Sequence, residues 1–437
     1  MRIAFLTLGC KLNFAETSTY RRALLAENWE DVSWTSGKAE AFLVNTCSVT
    51  EHSDKKCRNI IRKLHRLNPS APIVVTGCYA ELRRDEILAL DGVRAVFGAK
   101  EKSSVVPCLL ELGRHEATRS GKNPDVRGGD FVGVCGGDCI GVRGGDFFAA
   151  YSSGDRTRSF LKVQDGCNNF CSYCTVPYAR GESRNIPIRE IVAQAQAIAA
   201  EGVKEVVLTG VNTGDFGRSS GENFLQLIQA LDKVEGIERY RISSIEPNLL
   251  SDEIIDWIAG GSKFLPHFHI PLQSGCDEVL RRMGRRYDCA AFADRIDRIR
   301  KAMEREGGLK VFFGIDVIVG FPGETDDMFE ETYRFLEQRI RPAFIHIFPY
   351  SRRPGTPAAG FPDQVRDGIK TERVARLEEL CDRLHNEFIE ANRGLKAKVL
   401  FESTERKGLM SGYSENYIQV SRPYDSGLIG RITEVTL

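Results

Sequence analysis

Three short apolar runs near the N-terminus end in the same way, and that repetition limits what the first hundred residues can become. Ile3-Ala4-Phe5-Leu6-Thr7-Leu8 runs into Gly9-Cys10, Ala41-Phe42-Leu43-Val44 into Asn45-Thr46-Cys47, and Ile73-Val74-Val75 into Thr76-Gly77-Cys78. The runs are of strand length and helical patterns separate them, so the segment reads as a parallel α/β unit. In an open parallel sheet the carboxyl ends of the strands share one edge, which is where ligands bind. Cys10, Cys47 and Cys78 are expected to converge there.

A longer β/α succession begins at Phe160, with strands expected at 160–164, 206–209, 240–244, 267–270, 311–319 and 343–348. Six such units imply a partial or complete parallel barrel with its active site at the carboxyl ends of the strands. From Gly121 to about Gly154 the chain turns Gly-, Asp- and Ser-rich and repeats V-R-G-G-D-F, as a linker or insertion would. Val374, Leu377, Cys381, Leu384, Phe388 and Ala391 mark an amphipathic helix, and the segment after it reads as a small all-β barrel. The expected fold class is α/β: an N-terminal domain over 1–118, a linker over 119–154, a (β/α)6 partial barrel over 155–370, a connecting helix over 371–393 and a β-barrel over 394–437.

Composition narrows the chemistry. Lys+Arg and Asp+Glu number 60 each, so bulk charge gives no support to a nucleic-acid partner, and any such reading rests on local features. No apolar run reaches the roughly 18 residues of a membrane span, and Gly9 and Lys11 interrupt the first apolar stretch, which argues against a secretory signal. The expected compartment is cytoplasmic, with no membrane partner. In a reducing compartment the 13 cysteines are better candidates for metal, cluster or catalytic sites than for disulfides.

Asp165-Gly166-Cys167-Asn168-Asn169-Phe170-Cys171-Ser172-Tyr173-Cys174 places a C-x3-C-x2-C motif just after the first barrel strand. Three thiolates can hold a four-iron cluster and leave one iron open, whereas a structural zinc site calls for a fourth ligand nearby, and none follows closely. This motif resembles the radical S-adenosylmethionine (SAM) superfamily, in which an aromatic residue, here Tyr173, precedes the third cysteine. The resemblance implies that Cys167, Cys171 and Cys174 hold a [4Fe-4S] cluster whose open iron chelates SAM. It further implies SAM contacts at barrel strand ends: Asn212 in L-T-G-V-N-T-G, Ser244 or Glu246 in R-I-S-S-I-E-P, Gln273 in H-I-P-L-Q-S-G and Arg285 in R-R-M-G-R-R-Y, the last suited to a carboxylate.

T-L-G-C-K-L-N, V-N-T-C-S-V-T and V-T-G-C-Y-A resemble the N-terminal domain of methylthiotransferases, so Cys10, Cys47 and Cys78 are expected to hold a second four-iron cluster bearing the transferable sulfur. SAM then serves as both methyl donor and radical source. The C-terminal barrel resembles the TRAM domain, an RNA-binding module, and its removal is expected to weaken tRNA binding while sparing SAM cleavage. Tyr413 and Tyr417 read equally well as core filling or as base-stacking residues. Basic side chains crowd one helix (Lys55, Lys56, Arg58, Arg62, Lys63, Arg66) and one barrel loop (Arg281, Arg282, Arg285, Arg286). The C-G-G-D-C of Cys135 and Cys139 departs from the family pattern and is given no role, and Cys57, Cys108, Cys276, Cys289 and Cys381 read as ordinary positions.

T-L-G-C-K-L-N most resembles the branch of the methylthiotransferase family that converts N6-threonylcarbamoyladenosine at position 37 of tRNA, in the anticodon stem-loop, to its 2-methylthio form, which is therefore the expected reaction. The alternatives are the isopentenyladenosine branch, or a radical SAM enzyme whose N-terminal cluster relays electrons. An external electron donor and a sulfur source are implied, and the chain is expected to act as a monomer.

Overall fold

The computed structural model describes residues 1–119, 147–154 and 157–437, so Cys135 and Cys139 lie outside the described residues. The chain divides into two compact units. One comprises Met1–Ser152 with Asp165–Asn168 and Thr175–Glu182; the other comprises Ser153–Gln164, Asn169–Cys174 and Ser183–Leu437.

In the first unit β1 (Arg2–Thr7), β2 (Glu30–Asp31), β3 (Ala41–Thr46), β4 (Ile73–Gly77) and β5 (Val93–Phe97) form a parallel sheet in the order β2-β1-β3-β4-β5. β3 and β4 are buried along their whole length, as parallel strands covered on both faces must be. Alternation divides their side chains between two cores. Phe42, Val44, Ile73 and Val75 meet Cys57, Ile61 and Leu64 of the helix Glu51–Leu67. Ala41, Leu43 and Val74 meet Tyr20 and Leu24 of the helix Lys11–Ala26 and Val105 and Leu109 of the helix Val105–Arg119.

Residues 147–152, expected in the linker, instead pack on this unit. The Phe148 and Tyr20 rings lie 5.0 Å apart, and the Tyr151 carbonyl accepts hydrogen bonds from Thr19 and Arg22. The stretches 165–168 and 175–182, expected in the barrel, belong to this unit as well.

In the second unit β6 (Arg158–Lys162), β7 (Glu205–Thr209) and β8 (Arg239–Ile242) form one parallel trio, and β9 (His267–Gln273), β10 (Phe312–Val319) and β11 (Phe344–Pro349) form another. Parallel bridges at Tyr240–Phe264 and Ser244–His269 link the two, so the six strands follow chain order as in a (β/α)6 partial barrel. The helix Asp367–Ala391 then leads to a curled antiparallel sheet of β12 (Lys396–Arg406), β13 (Leu409–Tyr413), β14 (Gln419–Pro423) and β15 (Ile432–Thr436), in the order β14-β13-β12-β15. Val399, Phe401 and Met410 form its small core.

The C-terminal sheet is tied to the barrel strands by buried charge. Glu205 is fully buried and paired with Arg239 and Arg241, with Arg158 3.7 Å away. Arg239 donates to the carbonyls of Lys398 and Tyr413, and Arg241 to those of Ser414 and Glu415. Tyr413 and Tyr417 stack on each other at 4.7 Å beneath the guanidiniums of Arg158 and Arg241, and Tyr417 also lies against His267 and Phe312. Both tyrosines therefore pack at this junction. The sheet is held to the barrel strands by the hydrogen bonds of Arg239 and Arg241. No helix among the described residues is long and apolar enough to cross a membrane.

Candidate active site

The three N-terminal cysteines leave adjacent strands at one edge. β3 lies between β1 and β4, Thr7 pairs with Asn45, and Thr46 pairs with Gly77. Cys47 and Cys78 are each the next residue after that last pair, and Cys10 follows Thr7 through a turn at Gly9. Gly77 has φ 104°, and a Cβ there would stand 2.3 Å from the Thr46 carbonyl oxygen, so only glycine delivers Cys78 at this place. Around Gly9 the chain is as close, since a Cβ would meet Cys47 Cβ at 3.1 Å.

Buried polar groups fix these turns. Asn13 donates to Asn45 Oδ1 and to the Thr46 carbonyl, Asn45 donates to the Asn13 carbonyl, and the Cys10 thiol donates to Asn13 Oδ1 at 3.3 Å. Behind them lie four buried charges. Lys102 Nζ is 2.7 Å from Glu16 and 3.5 Å from Asp165, while Arg180 contacts Asp165 at 2.9 Å, Glu16 at 3.3 Å and Asn13 Oδ1 at 2.6 Å. Two cations and two carboxylates, each at most 3% exposed, are affordable only as a hydrogen-bonded set.

The thiols respond to this setting. Burial pushes the Cys47 thiol up to about 12, with Cys78 and Cys10 adding to the effect. Burial also pushes Cys78 up, and the charges of Arg180 and Lys102 oppose it. Such thiols give up their protons when a metal takes their place. Three soft donors at neighbouring strand ends, backed by the buried cations Lys102 and Arg180, fit an iron–sulfur cluster.

The second cysteine motif follows β6. Asp165 precedes Gly166, whose φ is 75° and whose Cβ would stand 1.9 Å from the Glu182 carbonyl oxygen, so the Cys167 loop is closed tightly against residues 181–182. Cys167 N donates to the Gly181 carbonyl, and Cys174 N to the Cys171 carbonyl. Three of the expected SAM contacts come together near Cys171. Arg285 donates to Cys171 Sγ at 3.2 Å and to Glu246 Oε1 at 2.7 Å; Glu246 accepts from Asn169, and its backbone N–H donates to Asn212 Oδ1. Arg285, expected to meet a SAM carboxylate, pairs with the protein's own Glu246.

Among the described residues the other expected contacts are not hydrogen-bonded into this network, although Tyr173 lies within the electrostatic reach of Arg285 and Cys171. Tyr173 packs against Cys276, Val279, Met283, Phe321 and Tyr350. The Ser244 carbonyl accepts from Thr213, and Gln273 is nearly buried in a left-handed backbone conformation, φ 75°.

Residues 2–98 match the uncharacterized protein family UPF0004, and residues 161–336 match the radical SAM superfamily. The threonylcarbamoyladenosine tRNA methylthiotransferase MtaB of Bacillus subtilis is 39% identical over 441 residues, which span 100% of this chain and 93% of that protein. The chain belongs to the radical SAM methylthiotransferase family. Further members include the MtaB of Aquifex aeolicus, 36% identical over 97% of each chain, and a tRNA-2-methylthio-N(6)-dimethylallyladenosine synthase of Wolbachia pipientis, 31% identical over 96% of this chain and 90% of that one. Among solved structures, the radical SAM methyltransferase TsrM of Kitasatospora setae superposes with a TM-score of 0.53 at 15% identity, covering 82% of this chain and 74% of its own, a likeness of fold alone.

Cys10, Cys47 and Cys78 stand at the strand ends expected of them, but the buried polar groups around them were not foreseen. Asn13, Asn45 and Asp165 lie within the quoted motifs and carried a signal as polar residues beside strand ends. Glu16, Lys102 and Arg180 carried none, since each reads as an ordinary helix charge until the fold brings it to the others.

Proposed function

We propose that the chain is a tRNA methylthiotransferase that converts N6-threonylcarbamoyladenosine beside the anticodon to its 2-methylthio derivative. The single observation that carries this reading is the placing of three cysteines on the shared edge of β1, β3 and β4 within a chain that also bears the radical SAM motif. Two [4Fe-4S] clusters and SAM supply radical generation, sulfur and methyl when bound. Cys167, Cys171 and Cys174 would hold the SAM-binding cluster, and Cys10, Cys47 and Cys78 the other. Arg285, Glu246 and Asn212 form the polar wall beside Cys171 and would orient the amino and carboxylate ends of SAM by exchanging their mutual hydrogen bonds.

A radical is needed because the C–H bond at adenosine C2 has no acidic proton for a general base to remove. The anticodon loop is a fitting target, since unstacked bases are the ones proteins read in RNA. Lys55, Lys56, Arg62, Lys63 and Arg66 lie exposed on the helix that begins four residues after Cys47, a basic surface that suits phosphate contacts. An external reductant and a sulfur source complete the cycle, and the chain works in the cytoplasm as a monomer.

The test is nucleoside mass spectrometry after incubation of the reconstituted enzyme with tRNA bearing either threonylcarbamoyl- or isopentenyladenosine. Product from the threonylcarbamoyl substrate is expected. Product only from the isopentenyl substrate would overturn the choice of branch, and SAM cleavage with no thiolated nucleoside would overturn the family reaction.

A further inference from the structure

One polar group on the barrel strands is not used by any step above. His269 on β9, Asp316 on β10 and His346 on β11 bring one ligand-type atom each within 4.8 Å of the others. His269 Nε2 lies 2.6 Å from Asp316 Oδ1, and the His269 and His346 rings are 4.9 Å apart. Strand register accounts for the grouping. Gly314 pairs with His269 and Phe344, and Asp316 pairs with His346, so all of these residues share one face of the sheet. A Cβ at Gly314 would stand 3.7 Å from His346 Nε2, so the bare glycine leaves space beside that imidazole.

The two faces of the sheet differ. Ile315, Val317 and Ile345 on the opposite face are buried, whereas the His269 and Asp316 side chains remain 23% and 17% exposed. Phe344 and Phe348, two residues either side of His346 on the edge strand β11, are 37% and 41% exposed. A hydrogen-bonding group thus sits on an open, aromatic-flanked face of the central strands. Its His–Asp contact is a hydrogen bond already made. His346 adds a second imidazole to the group, its ring against those of His269 and Phe344.

We infer that His269, Asp316 and His346 form the recognition site for the polar N6 substituent of the target adenosine; this rests on the substrate reading given above. A threonylcarbamoyl group carries a carboxylate, a hydroxyl and amide groups, all of which need partners when they leave water. His346 is suited to the carboxylate and the Asp316–His269 pair to the hydroxyl. An isopentenyl group is pure hydrocarbon and would leave the same three side chains without exchange for the water they lose. Sites built on hydrogen bonds reject analogues lacking the partner by roughly 10⁴-fold or more, far beyond what an apolar pocket achieves. The site therefore discriminates between the two N6 substituents and leaves the reacting C2 edge to the cluster region.

The experiment compares holoenzyme with His346→Phe, His346→Gln and Asp316→Asn, measuring kcat/KM for methylthiolation of each tRNA and using iron content as the control for folding. His346→Phe is expected to lower kcat/KM on threonylcarbamoyl-tRNA by about 100-fold, chiefly through KM, and to narrow the preference over isopentenyl-tRNA, with His346→Gln retaining part of it. Unchanged preference in both His346 variants at full iron content would overturn the inference while leaving the proposed reaction standing. Wild-type enzyme inactive on threonylcarbamoyl-tRNA would instead refute the proposed reaction. A single zinc or manganese ion per chain that disappears in the His346 variants would also overturn it, in favour of a metal site. Should Asp316→Asn lose iron, the two His346 variants decide.

Discussion

Glu205→Gln is the most searching perturbation of the framework, because it removes one negative charge and almost no volume. Glu205 has no exposure and faces Arg239, Arg241 and Arg158. Burial alone would raise its pKa, yet the guanidiniums of Arg241, Arg239 and Arg158 outweigh that and hold it at about 2, below the ordinary 4.5. That depression corresponds to about 3 kcal/mol, in line with the 3–5 kcal/mol typical of stripping one partner from a buried ion pair. Because the folded value lies below the unfolded one, the contribution is complete above about pH 5 and is lost as pH falls from 4.5 toward 2. The Gln variant should lack that part of the acid slope.

Loss should be felt first in the C-terminal sheet, whose carbonyls at Lys398, Tyr413, Ser414 and Glu415 are held by the same two arginines. The assay is urea unfolding at pH 7 combined with hydrogen exchange read by mass spectrometry over residues 396–437. A destabilisation of about 3 kcal/mol and exchange about 100-fold faster in that segment are expected. A variant within 1 kcal/mol of wild type, or with unchanged exchange in the sheet, would refute the reasoning.

Four further outcomes follow from the geometry. In a Cys167/Cys171/Cys174→Ala background the chain should retain about four of about eight irons, counted after anaerobic reconstitution; an unchanged count would remove the two-cluster assignment. In that background Arg180→Gln should lower, and Glu16→Gln raise, the midpoint potential of the remaining cluster in an EPR-monitored redox titration; shifts of the same sign would reduce both residues to scaffolding. Gly166→Ala should cost iron at the Cys167 site, since the new Cβ would collide with the Glu182 carbonyl, and full iron retention would argue against the tight loop. Truncation before Gly394 should give a poorly soluble chain, because it uncovers Arg239 and Arg241; a stable truncated protein with intact SAM cleavage would restore the C-terminal sheet to the detachable module that sequence alone implies.

The parts of the fold that were legible in sequence were those written in local pattern. β3 and β4 are continuous apolar runs because parallel strands are covered on both faces. The six barrel strands could be placed within a few residues from β-rich runs recurring between helical patterns, although one face of them carries Arg239, Arg241, His269, Asp316 and His346. The cysteines were legible because their spacing and strand context are local as well. What stayed hidden depends on long-range closure. Lys102 meets Glu16 across 86 positions and Arg180 meets Glu16 across 164, and a lysine or arginine in a helix pattern looks solvated until such partners arrive. Tyr413 and Tyr417 were ambiguous because stacking residues and packing residues have the same composition; the arginines above them are supplied by β6 and β8. The His269–Asp316–His346 group escaped notice since it exists only through the register of three strands.

The charge set behind Cys10, Cys47 and Cys78 also imposes an order on the making of the protein. Glu16 and Lys102 emerge early in synthesis, but Asp165 and Arg180, which complete their hydrogen bonding and hold Asn13 beside Cys10, come roughly sixty to eighty residues later. A nascent chain that ends before residue 180 has its three N-terminal thiols and Lys102 but not Arg180, the second of the two buried cations behind them. Iron delivered at that moment would find an unfinished pocket. The pocket behind the first cysteine set is thus complete only once the segment that carries the second has been made, so two sites far apart in the gene share one stretch of chain.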